Sequence, residues 1–171
     1  MTYPKAEKVL TFGFNSAYDV FEKLKRDAVK LKVDYRSKDE CFNFSLTAWH
    51  LYHDWIKNDI KLSRLAKNKH ESSRLAMKPM MHALEVLANS NKHIKSRNNQ
   101  NVIDTKYVEI TDFYTYCYGG FPTIITETAE YPLWKIQELL IEYFEWIFDE
   151  SENNLKLKDS LLLALETFNA P

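Results

Sequence analysis

A chain of 171 residues, 45% of them hydrophobic and 27% charged, has the size and composition of one soluble core, so a single domain over residues 1–171 is expected. Its formal charge of -1 excludes a protein that coats nucleic acid or adsorbs to membranes through a general positive field, although a local basic patch is compatible with it. Two cysteines, Cys41 and Cys117, exclude a disulfide framework. The N-terminus lacks the basic-then-apolar pattern of an export signal, and no run approaches the roughly 20 apolar residues of a spanning helix; reduced thiols in a cytoplasmic protein are expected.

In chain order, Ser16 and Asp19 have the spacing of a capping box. Ala17, Val20, Phe21, Leu24, Ala28 and Leu31 follow on one face, which predicts a first helix to about Val33. Ser37 with Glu40 repeats the signal and opens a second helix over residues 38–60. In it Phe42, Leu46, Trp49, Ile56 and Ile60 form one apolar strip, and Phe44, Ala48, Leu51 and Trp55 form another. A rod apolar on most sides belongs in the middle of a bundle, so this helix is expected to be the hub. From Lys57 to Lys78 there are five lysines and two arginines against two acids, which predicts an exposed loop with a helical turn. Pro79 suits the first turn of a third helix with Met80, Met81, Leu84, Leu87 and Ala88 inward, and a kinked helix running through Pro79 is equally allowed.

After the polar run Arg97–Asn101 the composition turns β-like. Val108, Ile110, Phe113, Tyr114, Tyr116 and Tyr118, then Gly119-Gly120, then Phe121, Ile124 and Ile125 predict a hairpin. Pro132 opens a fourth helix with Leu133, Ile136, Leu140, Tyr143, Phe144 and Ile147 inward, and Glu138, Glu142, Glu145 and Asp149 as an acidic row outside. A last helix turns Leu157, Leu161, Leu165 and Phe168 inward. The expected fold is mainly α: a helical bundle of about five helices with one β-hairpin inserted before the fourth.

No cofactor loop or closed metal-ligand signature is present, so no cofactor is expected. On the second helix, His50 and His53 with Asp54 are spaced so that both imidazoles can approach one ion, or else serve as ordinary polar contacts. On the third, His82, Glu85, Asn89 and His93 make a polar ridge. His93 beside Lys92 has the chemistry of a general acid or base, with Asn89 as a positioning group. The Lys57–Lys78 segment can either track phosphates or pair with the acidic row of the fourth helix, within one chain or across a dimer.

Ala48-Trp49-His50-Leu51 followed by Trp55, then Leu87-Ala88-Asn89-Ser90-Asn91-Lys92-His93, then a hairpin and an amphipathic helix, resembles a group of small bacterial proteins. More distantly, residues 17–150 are similar in layout to the HEPN superfamily. That resemblance implies a four-helix bundle, often dimeric, and in active members a metal-independent ribonuclease of toxin, phage-defence or RNA-processing systems. Its activity would lie in an Arg followed by four to six residues and a His. Arg64-Leu65-Ala66-Lys67-Asn68-Lys69-His70 has that spacing, but Leu65 departs from the usual polar residue and the segment precedes the third helix. The expected function is thus a small bacterial interaction or accessory protein with HEPN-like architecture, acting on a protein partner or as a homodimer. The alternatives are a ribonuclease using His93, or Arg64 with His70, on an RNA substrate held by Lys57 to Lys78, and a metal-dependent enzyme centred on His50 and His53.

Overall fold

Helix α1 (Ala17–Val33) starts at its expected cap, where the Ser16 hydroxyl accepts the Asp19 N–H at 3.1 Å. A second capping contact comes from far along the chain: the Asp59 carboxylate accepts the Ala17 N–H at 2.7 Å and pins the end of the second helix to the start of the first. The computed structural model describes residues 13–90, 104–107, 122–125, 130–151 and 155–169. Among them the chain is mainly helical, a bundle of five helices, and no helix is long and apolar enough to cross a membrane.

Helix α2 runs from Lys38–His50 through a π-helical turn, Leu51–Trp55, into a last turn, Ile56–Asn58. Ser37 caps it, its hydroxyl accepting the Glu40 N–H at 3.3 Å. The expectation that this rod is the buried hub is corrected. Phe44, Ala48, Leu51, Tyr52 and Ile56 are buried, but Trp49 and Trp55 are half-buried and Ile60 is 92% exposed. The wider π turn re-phases the inward face toward Tyr52 and Ile56, and the helix ends before Ile60 can join either strip. Between α1 and α2, Lys23 donates to the buried Asp27 and to Thr47, and the Thr47 hydroxyl donates to Asp27 at 2.8 Å.

Helix α3 (Arg64–Ser90) begins fifteen residues before Pro79, so the loop expected over the basic segment is corrected too. Ala66, Lys69, His70, Ser73, Met77, Met80, Met81, Ala83 and Leu84 are buried at helical steps, while Lys67, Arg74 and Lys78 lie outside that stripe. The stripe exists, but three of its members are polar. Pro79 sits exposed within the helix, and the Leu75 carbonyl that it leaves without an N–H partner falls on the wet side, where water can serve it.

The hub is α4 (Leu133–Phe148), which packs on α1, α3, the strands and the last helix. Leu133, Ile136, Leu139, Leu140, Tyr143, Phe144, Trp146 and Ile147 are buried around it. Buried Gln137 ties it to α1, donating to the Ala28 carbonyl at 3.0 Å and accepting the Tyr35 hydroxyl at 2.8 Å. Its C-terminus is held from α3: the Lys69 ammonium, 0% exposed, donates to the carbonyls of Trp146 at 2.9 Å and Asp149 at 2.7 Å. These are carbonyls that a helix end leaves without an N–H, and the positive charge also suits that end of the helix dipole.

Three short strands, β1 (Asp104–Tyr107), β2 (Pro122–Ile125) and β3 (Glu130–Pro132), pair antiparallel in that order, with Ile124 opposite Thr105 and Tyr131. Of the expected hairpin, Ile124 and Ile125 lie in β2, while its first arm from Val108, the Gly119-Gly120 turn and Phe121 lie outside the described residues, as do Cys117 and the tyrosines at 114, 116 and 118. Helix α5 (Asp159–Asn169) closes the chain, with Leu157, Leu161 and Leu165 buried.

The two carbonyls give Lys69→Met a clear expectation. Loss of charge-assisted hydrogen bonds at a buried helix end should lower stability by about 2–3 kcal/mol in urea denaturation. Lys78→Met, exposed on the same helix, should stay within about 0.5 kcal/mol.

Candidate functional site

The π turn of α2 and the second and third turns of α3 face each other across a cleft of about 350 Å³. It is lined by Tyr52, His53, Ile56 and Lys57 from α2 and by Lys67, Asn68, His70, Glu71 and Arg74 from α3. Four of these nine side chains are cationic or imidazole groups on an open rim, and one is an acid. Arg74 meets that acid, with Nη1 at 3.0 and 3.2 Å from the two Glu71 oxygens. Among the described residues Lys57 and Lys67 have no acidic partner.

The floor is different. Tyr52 and His70 are each 8% exposed, and their rings meet edge to face with centroids 4.5 Å apart. Behind His70 runs a chain of hydrogen bonds whose protons can be counted. The Ser73 hydroxyl lies 2.9 Å from the carbonyls of Lys69 and His70, which only accept, so Ser73 donates there. Its oxygen, 3.0 Å from the Tyr143 hydroxyl, then accepts the Tyr143 proton. With the protons assigned in this way, Tyr143 accepts from His70 Nδ1 at 3.0 Å, and in that tautomer Nε2 is a bare acceptor on the cleft side.

Electrostatics keep both floor groups neutral. Burial, helped by the nearby Arg74 charge and partly opposed by Glu71, pushes the His70 pKa down from 6.5 to about 4. Burial raises the Tyr52 hydroxyl to about 12, Arg74 opposing. Tyr143 is pushed well above its ordinary value by burial. At neutral pH the floor therefore offers a protonated phenol and an unprotonated imidazole beneath a cationic rim.

The other residues singled out from sequence are scattered. His50 Nδ1 and His53 Nδ1 lie 2.7 and 2.9 Å from the two oxygens of Asp54, so this carboxylate bridges the imidazoles. Burial would raise the Asp54 pKa, but the hydrogen bonds and charge of the histidines outweigh it and hold the carboxyl below its ordinary value. His53 also stacks on Trp49 at 4.8 Å. Among the described residues no group of three or more His, Cys, Asp or Glu is placed to hold a metal ion. Arg64 is exposed at the start of α3, and six residues at about 100° each turn it to a different side from His70. The cations one turn from His70 are Lys67 and Arg74. On the late part of α3, His82 Nδ1 meets Glu85 at 3.3 Å on the exposed surface; the Asn89 side chain, Lys92 and His93 lie outside the described residues. Half-buried Cys41 has its thiol pushed up to about 11 by burial, so it is not a ready nucleophile.

The acidic row of α4 does not face the cleft. Glu138, Glu142 and Glu145 line a groove shared with Lys25 and Lys32 of α1, so of that row only Asp149, whose carboxyl feels the Lys69 charge, lies near the Lys57–Lys78 segment. Tyr52 and Arg74 were not legible as site residues: one belongs to the π turn, and the other looks like one more charge in a basic run. No family model matches the chain, and no curated protein or solved structure matches it either.

His70 makes stability depend on pH in a defined window. The unfolded chain takes its imidazole proton near pH 6.5 and the folded one near 4, so between them the unfolded state binds more protons. Stability should be full above pH 6.5 and fall by on the order of 3 kcal/mol as pH drops through 4. Urea midpoints over this range should show the fall, and His70→Asn should flatten it.

Proposed function

We propose that this chain is a small interaction or accessory protein whose working surface is the cationic cleft between α2 and α3, and that its partner presents an acidic surface. One observation carries the reading: Lys57 and Lys67 stand on the cleft rim beside Arg74 and, among the described residues, meet no acid in an ion pair. A partner supplies what the fold withholds. A second copy is one such partner, because the row Glu138, Glu142 and Glu145 is exposed or half-exposed on another face. The HEPN-like layout, and with it a bacterial phage-defence or toxin-type setting, rests on the resemblance in sequence order alone.

Self-association should then be salt-dependent. Sedimentation velocity at low ionic strength should show a dimer or larger species that Lys57→Glu with Lys67→Glu, or about 0.5 M salt, converts to monomer. A monomer at every concentration with no co-purifying acidic protein would overturn the reading.

A second reading is favoured by His70: a bare Nε2 beneath a cationic rim is suited to take the proton of a ribose 2′-hydroxyl whose phosphate the rim holds. A metal-independent ribonuclease of this kind should cleave RNA in the presence of chelator. The activity should fall at least about 100-fold in His70→Asn, with folding checked by circular dichroism. Equal cleavage by the folded variant would remove this version.

A further inference from the structure

The floor of the cleft asks for more than negative charge. Tyr52 and His70 are over nine-tenths buried, yet among the described residues neither the Tyr52 hydroxyl nor His70 Nε2 has a protein partner. Neither atom is sealed from solvent. Two polar atoms that the fold leaves to solvent, on largely buried and touching rings lining one cleft, form a donor beside an acceptor that a ligand can take over from water.

We propose that this floor is a binding site for a small phosphate monoester that carries a hydroxyl close to its phosphate, such as a polyol phosphate. Lys57, Lys67 and Arg74 take the phosphate, and Tyr52 and His70 take the hydroxyl. The hydroxyl donates to His70 Nε2 and accepts from Tyr52, a two-way match for which inorganic phosphate, held by the rim, has no carbon-borne hydroxyl. Because Nδ1 is committed to Tyr143, Nε2 has no proton of its own to offer, so a ligand that only accepts finds half of the floor unsatisfied. The volume of about 350 Å³ suits a molecule of this size, at the lower end of small-ligand clefts.

The inference rests on the reading of the cleft as an anion-binding surface, and calorimetric titration separates the two. At about pH 8, where both probes are dianions, glycerol 3-phosphate should bind the full chain about tenfold more tightly than inorganic phosphate. Glycerol alone should not bind. Tyr52→Phe, which keeps the ring and the packing, should bring the two phosphates within about twofold of each other while inorganic phosphate binds as before. Equal binding of both probes to the unmodified protein would overturn the proposal and leave the anionic cleft standing, and so would a preference that survives in Tyr52→Phe. Binding of neither probe would sink the small-ligand site and count against the cleft reading as well. Lys57→Glu with Lys67→Glu provides the second variant, in which both phosphates should be lost together.

Discussion

One buried ammonium fixes the relation between α3, the longest helix, and α4. Lys69 enters from α3 and ends on the carbonyls of Trp146 and Asp149, with its Nζ also 5.4 Å from the Trp146 ring centroid. Removing an ammonium from water costs several kcal/mol, so the site must return that energy through geometry. It does so with two acceptors that would otherwise be orphaned at a helix end, the negative end of the α4 dipole, and the face of an indole. The indole N–H of Trp146 remains buried with no acceptor, a sign that the local arrangement is set by the ammonium.

The cleft inherits its form from that contact. His70 follows Lys69 and Ser73 is one turn further, so once Lys69 is seated both neighbours are driven against α4. There Tyr143 is the only hydroxyl within their reach among the described residues. The Ser73–Tyr143–His70 chain then orders the protons and fixes the imidazole face shown to the cleft. Charge is layered by depth. Cations that hydration can support stand at the rim, and the groups that face less water are neutral, because burial moves the pKa of His70 down and that of Tyr52 up.

Much of this fold was legible from spacing. The stripes of α1, α4 and α5 and the caps at Ser16 and Ser37 were read correctly because apolar residues occupy the inward positions and hydroxyls the starts. The part of α3 before Pro79 was legible only as an alternative to a loop, because its inward positions 69, 70 and 73 are Lys, His and Ser, which a hydropathy pattern scores as outward. The hub was assigned to α2 because two apolar strips, one with Trp49 and the other with Trp55, suggested burial all round. The acidic row on α4 made that helix look half-exposed, although it packs on α1, α3, β2, β3 and α5. A π turn has no sequence signature comparable to a cap, so the re-aiming of Tyr52 could not be foreseen. The adjacency of His50, His53 and Asp54 was legible, yet their carboxylate bridge turns both Nδ1 atoms to Asp54 and away from any shared ion.

The three polar residues inside the α3 stripe are not equivalent. Lys69 repays its burial within the fold, since both carbonyls it reaches belong to this chain, and Ser73 does so through helix carbonyls and Tyr143. His70 is only half repaid: one nitrogen is satisfied and the other faces an open cleft. An apolar residue at 70 would pack against Tyr52 without the loss of stability on acidification. Of the three, therefore, His70 is the one that the fold engages through one side alone, and among the described residues it lies below a rim where Lys57 and Lys67 form no ion pair. A half-engaged imidazole and unpaired charge coincide at one place in the bundle, which is where an outside molecule would contribute most.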